Sequence, residues 1–218
     1  YDIRARVTLT DDEDLRNNNA EKRIISLPNI NLPYAENFST YGYWYSEDDT
    51  WQYTKPENET YSWTTTPGNS VCTLESPCFD MSDVQKPIIE FRLKGSTTST
   101  DGLALYYSTD PGHQTWDLVP TYPTAYPHPS WKWYNSNNVD ALGSAGWNGD
   151  IDWTRYMQLL PDGVGGQNSL KLRFVFKTED AQSSYSFTID DIKMYESPVD
   201  AGVVAIKPDN SCHLSKKQ

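Results

Sequence analysis

The chain has 218 residues and a net charge of −12, with 30 Asp and Glu against 18 Lys and Arg. It shows no basic stripe, which argues against nucleic acid or an anionic membrane as partner. No apolar run approaches the roughly 18 residues a membrane-spanning helix needs, so direct membrane insertion by a helix is not expected. Eight Trp, fifteen Tyr and six Phe supply large buried surfaces, while Thr, Ser, Asn, Pro and Gly supply turns. That mixture favours strands over helices.

The chain opens in mid-strand, and is read as an internal piece of a longer protein. Ile3, Ala5, Val7 and Leu9 alternate with polar residues. An acidic, Asn-rich turn over residues 11–19 and a short run at Ile24 and Ile25 follow, which is a hairpin signal. Two strands rarely stand alone in water, so residues 1–27 are expected to be the last strands of a preceding domain. Residues 28–31 are the linker.

Residues 32–196 form the main body. Short alternating runs predict strands at 34–38, 51–53, 61–65, 71–76, 88–93, 103–108, 170–177 and 187–195, with weaker signals at 116–119 and 155–159. Turn pairs such as Pro67-Gly68, Asp101-Gly102 and Asn148-Gly149 separate them. The pattern predicts an all-β sandwich. After Pro198 the pattern restarts, and residues 197–218 read as the start of a further domain.

Three features stand out within this frame. In Ile189-Asp190-Asp191-Ile192, two acids sit between apolar residues of a strand. Strict alternation places at least one of them on or near a packed face. A buried carboxylate needs hydrogen bonds or a cation, so the expectation is a structural metal or a polar clamp. Cys72 and Cys78 flank a Pro turn and could bridge if their Cα atoms come within about 7 Å; the alternative is two unpaired thiols. Cys212 is far away, its partner expected outside this chain. Finally, residues 120–146 make an unusually long connection rich in rings: Tyr122, Tyr126, Trp131, Trp133 and Tyr134, followed by Asn135. Long loops of this kind are often functional. The rings suit stacking on sugars, but equally a minicore that anchors the loop. Tyr41, Tyr43 and Tyr45 form a second alternating set.

Motifs for catalysis are missing. His113, His128 and His213 are scattered, with no H-E-x-x-H, no G-x-S-x-G and no C-x-x-C. The acidic run at Asp11 lacks the Gly and Glu positions of an EF-hand and reads as a solvated turn.

The succession Leu32-Pro-Tyr-Ala-Glu-Asn-Phe38, Trp51, Trp63, Leu74-Glu-Ser-Pro-Cys-Phe-Asp80, Asp101-Gly-Leu-Ala-Leu-Tyr-Tyr-Ser-Thr-Asp110, Trp116 and Ile189-Asp-Asp-Ile192 resembles the bacterial MAM-like jelly roll. The cleaved adhesin domains of gingipains and haemagglutinins look similar. The resemblance covers residues 32–196. It implies a jelly-roll sandwich of two antiparallel sheets from a secreted or cell-surface protein of Bacteroidota, exported by the type IX route and flanked by Ig-like domains. It also implies a structural Ca²⁺, for which Glu36, Asp190, Asp191 and, more weakly, Asp101 are carried over as ligands. The long 120–146 segment departs from the family's short turn. The implied role is a non-catalytic adhesion, binding or spacer module with a surface glycan or protein ligand. The alternatives are a carbohydrate-binding module of a polysaccharide-degrading enzyme and an accessory domain of a secreted metalloprotease.

Overall fold

A computed structural model describes residues 2–6, 19–23, 28–56, 59–122, 130–180 and 184–198. All regular structure among them is β. The strands are β1 (Asp2–Arg6), β2 (Asn19–Arg23), β3 (Asn29–Asn31), β4 (Tyr34–Glu36), β5 (Trp51–Thr54), β6 (Ser62–Thr65), β7 (Val71–Glu75) and β8 (Cys78–Asp80). They continue with β9 (Pro87–Ser96), β10 (Gly102–Ser108), β11 (Asp117–Leu118), β12 (Ser130–Trp131), β13 (Ser136–Val139), β14 (Ser144–Gly146), β15 (Ile151–Leu159), β16 (Lys171–Lys177) and β17 (Ser186–Glu196).

Two antiparallel sheets make the sandwich, as the alternating runs predict. The smaller has the order β11-β10-β16-β7, and the larger β12-β15-β9-β17-β6-β5, with β4 also paired to β17. β1 pairs with β2 in register Asp2↔Arg23 to Arg6↔Asn19, which is the expected hairpin pairing. Val7, Leu9, Ile24, Ile25 and residues 199–218 lie outside the described residues.

Burial follows the strand period. β16 sends Leu172, Phe174 and Phe176 inward and Lys171, Arg173, Val175 and Lys177 outward. From the larger sheet, β9 contributes Ile89, Phe91 and Leu93. Phe91 is the meeting point of the layers: its ring lies 5.0 Å from Phe174, 5.5 Å from Trp147 and 5.9 Å from both Trp133 and Tyr156. The contact with Tyr156 is stacked and the other three are edge-to-face; such pairs add about 0.5–1.5 kcal/mol each beyond area burial.

The 120–146 segment is not a bare loop. It contains β12, which pairs with β15, and the β13–β14 hairpin, whose Val139 packs with Leu142 on the outward-facing Ala104 of β10. Trp133 is 6% exposed and sits 5.0 Å from Trp147. The Tyr134 ring lies 4.5 Å from Trp147, and its hydroxyl donates to the Leu105 carbonyl. These two rings are the loop's anchor and not an exposed sugar platform. Tyr126 lies outside the described residues, and Trp131 is placed only by its backbone pairing with Met157. Tyr122 is half-buried at the segment's start.

The expected Cys72–Cys78 bridge is not formed: both are free thiols. Cys72 faces the sandwich interior from β7 and is fully buried. β8 leaves that sheet after Pro77 and pairs in parallel with β3. Its Cys78 sulfur lies 3.6 Å from His113 Nε2. The two side chains therefore enter different environments. Burial pushes the Cys72 thiol up to about 11, which suppresses its reactive thiolate.

Two outcomes follow from this packing. Trp133→Ala is expected to lower stability by about 3 kcal/mol, the scale of a buried aromatic truncation, as read by urea denaturation; a change under 1 kcal/mol would contradict the anchoring role. In a Cys212→Ala chain, a thiol reagent is expected to titrate Cys78 in the native state and Cys72 only after unfolding. Finding no reactive thiol in denaturant would show a bridge instead.

Candidate functional site

β17 is bordered on one edge by β9 and on the other by two successive partners. Thr188 and Ile189 pair with β6, whereas Ile192, Lys193 and Met194 pair with β4. In this stretch, after Asp190 and before Lys193, the register against β9 shifts, and Asp191 adopts φ 51°. This bulge inserts one extra residue. Ile189 and Ile192 both face the core as a result, whereas strict alternation would have sent them to opposite faces.

Asp190 is the acid left buried, at 3% exposure. Its Oδ2 accepts the Thr60 hydroxyl at 2.9 Å and its Oδ1 accepts the Asp191 amide at 2.7 Å. Burial raises its pKa against the smaller opposing effect of these bonds. Ser62 precedes Trp63 on the side where Asp190 follows Ile189, and its hydroxyl is buried without a hydrogen-bond partner. Across the break stands Glu36, paired with Ile192. Its Oε1 accepts the Phe38 amide at 2.8 Å, and the rest of the carboxylate lies against Gly42, where any Cβ would collide with it. Glycine at 42 thus lets the 37–44 loop close over Glu36. Asp191 is turned outward, 3.5 Å from Arg92.

Glu36 and Asp190 border the same break in β17 without sharing a register position: Glu36 stands opposite the core-facing Ile192, whereas Asp190 stands opposite Arg92. Asp101 does not border it. It precedes β10 in the smaller sheet, where its carboxylate accepts the Thr98 and Thr178 hydroxyls and the Glu179 amide. Two hydroxyls and an amide thus satisfy it there.

The loop closed over Glu36 carries Tyr41 and Tyr43, which are 65% and 51% exposed. Tyr41 packs edge-on to Tyr53 at 5.3 Å and tilted on Trp63 at 5.6 Å. Tyr53 in turn stacks flat on Tyr61, at 4.8 Å and 7°. The Tyr53 hydroxyl donates to the Phe38 carbonyl at 2.6 Å, fixing the base of the cluster to the loop. Rings held rigidly from below and open to solvent above form an amphipathic surface. Tyr45 does not join them. The isolated bridge between Tyr45 and Glu75 carries it to the smaller sheet.

On that sheet's outer face, Glu75 accepts the Tyr45 hydroxyl at 2.6 Å and Lys171 at 3.1 Å, and Arg173 Nε at 2.8 Å. Arg173 also lies 3.8 Å over the Trp116 ring. Burial opposes ionisation of Glu75, yet the Tyr45 hydroxyl and the two cations together hold its carboxyl below the ordinary value. A third feature is an open depression of about 520 Å³ beside Trp133, with Lys132, Asn135, Asp150 and Asp152 at its rim.

No protein-family model matches the sequence, and no curated protein matches it. Solved structures similar to the chain include the xylan-binding domain CBM22-1 of Paenibacillus barcinonensis Xyn10C, at 13% identity and a TM-score of 0.45 over 76% of this chain and 95% of that one. A cleaved adhesin domain of Lys-gingipain from Porphyromonas gingivalis is 13% identical with a TM-score of 0.43, over 75% of this chain and 98% of that one. The module TmCBM61, solved with β-1,4-galactotriose, is 10% identical with a TM-score of 0.41, over 71% of this chain and 87% of that one.

Proposed function

We propose that the chain is a non-catalytic binding module of a secreted or surface-attached protein, with Tyr41, Tyr43 and Tyr61 as a platform for an uncharged saccharide. The observation that carries this reading is the exposure of these rings, which are the large aromatic side chains most open to solvent among the described residues. Exposed ring clusters mark interaction sites. Glu36 acts electrostatically on Tyr53 at the base of the cluster, and Lys55 sits 5.5 Å from the Tyr61 ring. Hydroxyl-rich, neutral ligands suit such a border better than anions. By the sequence resemblance alone, residues 1–27 and 197–218 belong to Ig-like neighbours in a longer surface protein.

The same reading assigns Ca²⁺ to the break in β17. Asp190 and the unpartnered Ser62 hydroxyl next to it in the register are hard oxygen donors of the kind Ca²⁺ takes, and Glu36 borders the break from β4. Among the described residues no three acidic, His or Cys side chains converge anywhere. A cation here would therefore draw the rest of its six to eight oxygens from carbonyls and water.

The pH behaviour separates the cation-bound protein from the cation-free one. Without a cation, the raised Asp190 pKa means that this group favours folding below its unfolded pKa and loses that contribution as pH rises through its folded pKa. In EDTA at pH 7, Asp190→Asn is expected to match or exceed the native chain in Tm. In Ca²⁺ at a hundredfold excess over Kd, the native chain is expected to gain about 2.7 kcal/mol and the variant much less. Superimposable melting curves with and without Ca²⁺ would remove the site.

For the platform, an array of neutral glycans probed with the native chain should return binding. Tyr41→Ala should weaken it by about 2 kcal/mol, the hot-spot scale, while stability changes by less than about 0.5 kcal/mol, as for an exposed residue. Binding that survives Tyr41→Ala and Tyr61→Ala together would contradict the assignment.

A further inference from the structure

We propose that the outer face of the smaller sheet is a second binding surface, for an anionic saccharide bearing carboxylate or sulfate groups, with Lys171, Arg173 and Lys177 as its cations and Tyr45 and Trp116 as its ring walls. The inference begins with β16. Its inward positions must be apolar to fill the sandwich, but its outward positions are not so constrained. In a chain with 30 acids and 18 bases, three of the four outward positions of this strand are cationic. The neighbouring strand β7 offers one acid, Glu75, against them.

That acid does not neutralise the face. Glu75 binds both Lys171 and Arg173, which leaves one positive charge over, and Lys177 adds another. The turn acid Asp110 accepts hydrogen bonds from the amides of Gly112 and Gln114 and none from these cations. The two inner cations are also held in place. Lys171 is 13% and Arg173 28% exposed at the side chain. Lys171 lies 5.1 Å over the Tyr45 ring, and Arg173 lies over Trp116. The Trp116 indole is itself fixed by donating to the His113 carbonyl at 3.0 Å. Donors nevertheless remain. Lys171 uses two of its three protons, on Tyr45 and Glu75. Arg173 reaches Glu75 through Nε and Nη2, leaving Nη1. Cations fixed before binding need little ordering to meet an anion, and guanidinium geometry suits carboxylate and sulfate alike.

This surface is separate from the tyrosine platform, which belongs to the larger sheet, and it asks for a ligand of different charge. The probes are polygalacturonate for carboxylate, dextran sulfate for sulfate and plain dextran as the neutral control, in affinity electrophoresis of the whole chain. The expected result is retardation by one or both anionic polymers and not by dextran, weakening as salt rises. Which polymer acts identifies the anion. A protein of net charge −12 should otherwise avoid both. Arg173→Gln should abolish retardation, but it also strips Glu75 of a partner and could disturb folding. Lys177→Gln lies outside the Glu75 network and should fold normally while weakening retardation about fivefold. No retardation by either polymer would overturn the proposal. So would retardation that Lys177→Gln leaves unchanged.

Discussion

The break in β17 is the constraint on which the edge of the larger sheet depends. A strand that faces one core along eleven residues must keep its apolar positions in phase. It must also take two short partners, β6 and β4, on the same edge. The extra residue at Asp190–Asp191 satisfies both demands. Phe187 and Ile189 fill the core before the bulge, and Ile192 and Met194 fill it after. The cost is a carboxylate buried where the two partners fail to meet. A buried charge of this kind is tolerated only with donors or a cation around it, and the Thr60 hydroxyl and the Asp191 amide are the donors there.

The position of the tyrosine platform follows from the same place. Glu36 closes the 37–44 loop through the Phe38 amide and the space left by Gly42. That loop presents Tyr41 and Tyr43, then returns Trp44 to the core and Tyr45 to the opposite sheet. One short segment thus contributes to both outer surfaces. The platform on one side is ring-rich, with acids nearby. The ladder on the other is an alternation of rings and cations around Glu75. The two surfaces share a chain but differ in the ligand charge they would accept.

Period-two patterning made most of the long strands legible. β9, β10, β16 and β17 lie where their alternating runs predict, each reaching within a residue or a few of its expected ends. β3, β8, β13 and β14 escape such reading, whereas the equally short β4, β5 and β6 are marked by their Tyr and Trp residues. The doublet Asp190–Asp191 signalled a buried carboxylate, but its role as a bulge depends on which strands lie alongside, and that is a tertiary fact. Asp101 has a suitable side chain for a cation but sits in the other sheet, where hydroxyls and an amide satisfy it. Trp133 and Tyr134 carry ring content that serves a platform or a minicore equally well; only their contact with Trp147 and Phe91 decides between them. The Glu75 ladder was hidden by distance along the chain, since Tyr45, Glu75, Trp116 and Arg173 come from four separated segments. Its one local trace is the outward run Lys171, Arg173, Lys177, which identified the strand without drawing attention to its outer face.

Native-state amide hydrogen exchange with and without Ca²⁺ tests most directly whether the break in β17 holds a cation that orders the platform. If it does, amides of residues 38–44 and 60–63 gain protection together in Ca²⁺, beyond any change in β10 and β16. Asp190→Asn should abolish that local gain. Protection that is unchanged by Ca²⁺, or that rises uniformly over both sheets, would contradict a link between the buried carboxylate and the tyrosine loop.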